Sequence, residues 1–141
     1  METKQFEAYS TDELFCLYNC VRESLEYVEF DNKSLGEYQN FKFDFAEKLR
    51  KSVRIELHKK PDVDPELWVL TAKPGDMSAR AISETEPDVL ECFVTCITIA
   101  LKYLDDEDQF FTRIGVTMKF ARSLQTAVSN ELSNRSANMG A

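Results

Sequence analysis

Glycine and proline are scarce in this chain, four of each in 141 residues, and there is a single histidine and a single tryptophan. So little glycine leaves no room for a phosphate-cradling loop, and neither a Walker sequence nor a dinucleotide fingerprint occurs. One histidine, His58, removes most acid–base and metal constellations, and no local signature joins it to a nucleophile. The start, METKQFEAYS, lacks the basic residues and apolar block of a secretory leader. No uninterrupted apolar run is long enough to span a bilayer: the best, residues 86–104, is broken by Asp88, Glu91, Thr95, Thr98 and Lys102.

What is present describes one ordinary globular domain over 1–141, with a loose arm at 1–9 and a frayed tail at 133–141. Aromatic residues make up 11% of the chain, more than a disordered segment carries. The formal charge is −8, so duplex nucleic acid and anionic membranes are poor partners. The four cysteines lie inside apolar helical stretches of a chain that needs no staples, which points to reduced thiols in the cytoplasm.

Taken in order, Ser10 with Glu13 forms a capping box. The helix it opens stripes Leu14, Leu17, Tyr18, Val21, Leu25 and Val28, with Asn19, Arg22, Glu23 and Glu26 opposite. Ser34 with Glu37 repeats the box ahead of a second helix burying Leu35, Tyr38, Phe41, Phe45 and Leu49. From Ser52 the period changes, since Val53, Ile55 and Leu57 alternate with Arg54, Glu56 and His58 as in a half-buried strand. Two turn clusters, KPDVDPE and KPGD, then separate LWVLTAK from MSARAIS. The expected fold is therefore α+β: two helices, a small three-stranded antiparallel meander, and two C-terminal helices. An all-helical bundle is the fallback, with the second helix running on through Leu57 in steps of four. The stretch 86–104, apolar on every side, is expected as the buried central helix, opened by Pro87 and Asp88. Asp108 or a neighbour caps the last helix, which carries Gly115 in its middle and buries Phe110, Phe111, Ile114 and Met118.

Chemistry has three candidate locations. Cys16 with Cys20 and Cys92 with Cys96 repeat one spacing, so two facing helices would gather four sulfurs. Core packing accounts for such spacing more simply than a metal or redox centre, and neither a metal nor another cofactor is expected. The acids Asp105 to Asp108 lack the ligand pattern of a calcium loop. The third is the basic run between Lys48 and Lys60. With Arg54, His58 and Arg80 on one sheet face, Arg50 and Lys59 lining the site and Trp68 to stack a base, it would take a small anionic, nucleotide-like ligand.

The leading functional expectation is a non-enzymatic interaction protein, an inhibitor, adaptor or chaperone-like binder of another protein. Homo-oligomers are also expected, because Phe6, Phe30, Phe43 and Trp68 fall off the main stripes. A nucleotide-like ligand sequestered by the basic run, in the manner of small viral or phage accessory proteins, is the alternative. A redox or metal protein built on the paired cysteines comes third.

Overall fold

The structure is a computed structural model and describes residues 1–32, 41–60 and 76–139. Its regular elements are all helical: a short 3-10 turn, Thr3–Phe6, then α1 (Thr11–Asn32), α2 (Phe43–His58), α3 (Asp76–Ser83), α4 (Pro87–Tyr103), α5 (Glu107–Ile114) and α6 (Met118–Met139). There is no strand among the described residues, which overturns the α+β expectation in favour of the helical bundle.

The correction turns on α2. Ala46, Leu49, Ser52, Val53, Glu56 and Leu57 form its buried face, the three-and-four spacing of a helix. Alternation through Val53, Ile55 and Leu57 is real but incidental, because Ile55 is 50% exposed while its two neighbours are inside. A second supposed strand, MSARAIS, is part of α3 and buries Ala81 and Ile82. The box at Ser34 and Glu37, both turn clusters and LWVLTAK lie outside the described residues.

Local signals set most helix ends. Ser10 and Glu13 close the capping box, with Ser10 N donating to Glu13 Oε1 at 2.7 Å and Glu13 N to Ser10 Oγ at 3.2 Å. Pro87 opens α4 where its missing N–H costs nothing. Asp106, a neighbour of Asp108 in the acidic cluster, caps α5 by accepting from Gln109 N at 3.0 Å. Gly115 is not in mid-helix: at φ 89° it ends α5 in the left-handed region, which a side chain would disfavour. Thr117 Oγ1 then caps a separate α6 by accepting from Phe120 N at 3.1 Å. Phe111, expected inside, is consequently 41% exposed.

The bundle is built around α1 as much as α4. Helix α1 packs on α2, α4 and α5, and α4 packs between α1 and α6. Leu14, Cys16, Leu17, Cys20, Val21, Ser24 and Val28 of α1 are all buried, as are Asn19 and Glu23 from the face read as polar. Helix α4 keeps a solvent stripe of Asp88, Glu91, Thr95, Thr98 and Lys102, the residues that interrupt its apolar run. No helix among the described residues is long and apolar enough to cross a membrane.

Both supposed loose ends carry structure. Phe6 and Tyr9 are buried, with ring centroids 6.2 and 6.3 Å from Phe93 of α4. Burying each such ring stabilises the fold by roughly 1.5–3 kcal/mol. At the other end α6 continues to Met139, and Arg135 donates to the carbonyls of Thr85 (2.7 Å), Ile82 (3.0 Å) and Ser83 (2.9 Å). Of the aromatics taken as surplus, Phe6 is therefore core and Phe43 packs edge-on against Phe41 at 5.2 Å. Trp68 lies outside the described residues.

Candidate functional site

A helix with one buried face must present the other, and α2 presents a basic one. Along its outward arc lie Lys48, Lys51, Arg54, Ile55, His58 and Lys59, all exposed. At 1.5 Å per residue the stripe runs roughly 16 Å. Acids on α2 fall elsewhere: Asp44 and Glu47 in the first turns, Glu56 on the buried side. Among the described residues neither Lys48 nor Lys51 closes an ion pair, although Lys51 lies near enough to Glu47 to help lower its carboxyl. Arg54 Nε donates to His58 Nε2 at 3.3 Å, which places the proton of a neutral imidazole on Nδ1.

The residues named from the sequence do not converge on one point. Arg50 pairs with Glu47, with Tyr18 of α1 close by, and its bond holds the Glu47 carboxyl below the usual range. Lys59 reaches back to the buried Glu56 at 2.9 Å, and Arg80 pairs with Glu84 at 3.4 Å on α3. Trp68 is outside the described residues. Of the four among the described residues, only Arg54 stands free of an acid on the stripe. Lys51 and Ile55 were passed over as site residues. Their signal is the helical spacing 48, 51, 55, 58, which a period of two conceals.

The sulfurs do lie near one another. Cys16, Cys20 and Cys96 are buried and Cys92 is half-buried; all four are free thiols. Cys92 Sγ and Cys96 Sγ are 3.9 Å apart within α4, and Ser24 Oγ donates to the Cys96 carbonyl at 3.0 Å, tying the pair to α1. Burial, then the bond to Cys16 and the proximity of Cys96, pushes the Cys20 thiol well above its ordinary value. Among the described residues no three His, Cys, Asp or Glu side chains are placed to hold a metal ion.

Cys92 opens onto a groove of about 150 Å³ between the start of α2 and the first turns of α4. Phe41, Lys42 and Phe45 form one wall; Glu91, Cys92 and Thr95 form the other, with Asp88 at its end. The Cys96 hydrogen bond lowers the Cys92 thiol below its ordinary value; burial opposes this and Lys42 adds to it.

No family model, curated protein or solved structure matches the chain. Its functional reading therefore rests on its own surfaces.

Proposed function

We propose that this is a small non-enzymatic binding protein of a reducing, cytoplasmic compartment, which docks the outward face of α2 onto an acidic surface of another protein. One observation carries the reading: a convex basic stripe with the half-exposed Ile55 at its centre, on a chain whose net charge is −8. Free cations strung from Lys48 to Arg54, along roughly 9 Å of helix, suit an extended array of carboxylates. A small anion wants donors converging on one point, and Arg50, Lys59 and Arg80 are each engaged by an acid of this chain. Ile55 supplies the apolar centre that charge alone lacks. The acidity of the whole molecule argues against a nucleic acid at this face. A second copy in two-fold contact would set basic stripe on basic stripe. Against turnover stands the position of His58, exposed and bonded to Arg54, while the thiols lie inside or in the α2–α4 groove.

The test is photo-crosslinking in native cells from a benzophenone side chain placed at Ile55. The expected result is one recurrent protein adduct, lost in Lys51→Glu/Arg54→Glu and retained in Arg122→Glu on the exposed face of α6. An adduct indifferent to the α2 reversal would sink the reading. A thermal shift with nucleotides or inorganic phosphate, abolished by Arg54→Ala, would hand the face to the small-anion alternative.

A further inference from the structure

The α2–α4 groove is a separate matter from the basic face, and it holds the most accessible thiol of the protein. We infer that it is a modification site, where a small neutral hydroperoxide oxidises Cys92 to a sulfenic acid, with Cys96 as hydrogen-bond donor and Lys42 beside the leaving oxygen.

The geometry supplies each part. Three of the four thiols are sealed in the core, whereas Cys92 faces the groove. Cys96, buried and 3.9 Å away, is placed to donate its S–H to Cys92, which would stabilise the anionic form of Cys92. Its own thiol is raised well above the ordinary value by that bond and by burial, which keeps the proton on Cys96. Lys42 stands on the opposite wall, paired with no carboxylate among the described residues. Asp88 and Glu91, on the same helix as Cys92, oppose an anion, and behind them α1 brings the thiols, the Ser24 hydroxyl and, on the far side of Cys20, the buried Glu23.

That mixed lining selects the oxidant. Two carboxylates repel a polyanionic disulfide such as oxidised glutathione, and about 150 Å³ beside two phenylalanine rings suits a small molecule. Hydrogen peroxide is neutral and fits. In the step, the Cys92 thiolate attacks one peroxide oxygen, the O–O bond breaks, and its electron pair leaves on the distal oxygen as hydroxide. Lys42 stabilises that charge, and the proton released from the Cys92 thiol completes a water. Sulfur loses two electrons and the peroxide gains them.

Condensation with Cys96 is held off by the helix itself. Residues four apart have Cβ atoms about 5–6 Å from each other, whereas a disulfide needs roughly 3.5–4.5 Å. The sulfenic acid is therefore the first stable product.

The experiment treats the reduced full-length chain with hydrogen peroxide in the presence of dimedone and maps the adduct by peptide mass spectrometry. One adduct at Cys92 is expected, with Cys16, Cys20 and Cys96 unlabelled, and none at that peptide in Cys92→Ser. Each unit by which the thiol pKa rises cuts the thiolate about tenfold but makes it roughly threefold more nucleophilic, a net loss of about threefold in rate. Lys42→Met and Cys96→Ala should each slow labelling, about threefold for every unit by which the pKa rises. Lys42 is exposed, so its variant keeps the fold and the test stands even if Cys96→Ala unfolds. Labelling spread over several cysteines, a Cys92 rate unchanged in Lys42→Met, or a Cys92–Cys96 disulfide as first product would each overturn the assignment.

Discussion

The hydroxyls of Tyr9 and Thr85 meet at 2.8 Å inside the protein, although the two residues stand 76 apart in the chain. Thr85 Oγ1 also lies 2.7 Å from the Ala81 carbonyl, which can only accept. Threonine's single proton goes there, so Tyr9 is the donor to Thr85.

Tyr9→Phe removes that bond while leaving Thr85 its own, and should cost about 1 kcal/mol in urea unfolding. The substitution also has a pH signature. Burial raises the Tyr9 phenol well above its ordinary value of 10, so above pH 10 the unfolded chain gives up this proton while the native chain keeps it. Stability is complete below about pH 10 and falls as the pH rises beyond it. Part of the alkaline loss should be missing in Tyr9→Phe. Identical slopes for both proteins above pH 10 would count against the donor assignment.

Arg135 holds three carbonyls at the end of α3 and the approach to α4. Arg135→Ala should lower stability by about 1–2 kcal/mol. Arg135→Lys should recover less than half of it, because one ammonium cannot reproduce the planar fork. Equal stability of wild type and Arg135→Ala by urea titration would show that this end of α6 contributes nothing.

Val53 and Ile55 separate the helix from the strand. Val53 is fully buried and Ile55 half exposed. Val53→Ala should therefore destabilise by about 1–3 kcal/mol and Ile55→Ala by no more than about 0.5 kcal/mol. A half-buried strand with both residues on its inner face would make the two costs alike.

Glu23 is 1% exposed, and neither of its carboxylate oxygens has a hydrogen bond among the described residues. Arg22 and Arg113 approach at 3.2 and 3.5 Å but outside hydrogen-bonding alignment. Both arginines are solvent-accessible, so losing the acid strands no buried charge, whereas losing an arginine does. Glu23→Gln should be neutral within about 0.5 kcal/mol, or stabilising, and Arg113→Ala distinctly worse. Chemical denaturation of the two variants gives the order, and the reverse order would contradict it.

Helix ends were readable where the signal is local. Ser10 with Glu13, and Pro87 at the start of α4, need only a few neighbouring residues to act. The class of residues 52–58 was not readable, because Val53 and Leu57 sit inside in either conformation and only Ile55 discriminates. Whether Ile55 is inside depends on what α1 covers, a fact about another part of the chain. Gly115 was visible as an anomaly, yet a close backbone approach and a helix stop leave the same mark in sequence. The basic run was legible as a segment. Which of its members are neutralised was not, since the pairs Arg50–Glu47 and Lys59–Glu56 exist only at helical spacing. Arg54 and His58 share a face in both conformations, but only the helix brings them into contact. The groove beside Cys92 joins α2 to α4, and no pattern within either helix announces it.

The corner between α3 and α4 is fastened from both directions: Gln5 Oε1 accepts from Glu86 N at 3.0 Å, Tyr9 donates to Thr85, and Arg135 reaches the same few residues. During synthesis the early residues leave the ribosome long before Arg135 does. Phe6 and Tyr9 must wait for α4, and the corner stays unlatched until α6 is released. Half-made chains consequently hold an open seam of aromatic surface, and closure of this corner waits for the last helix of the bundle.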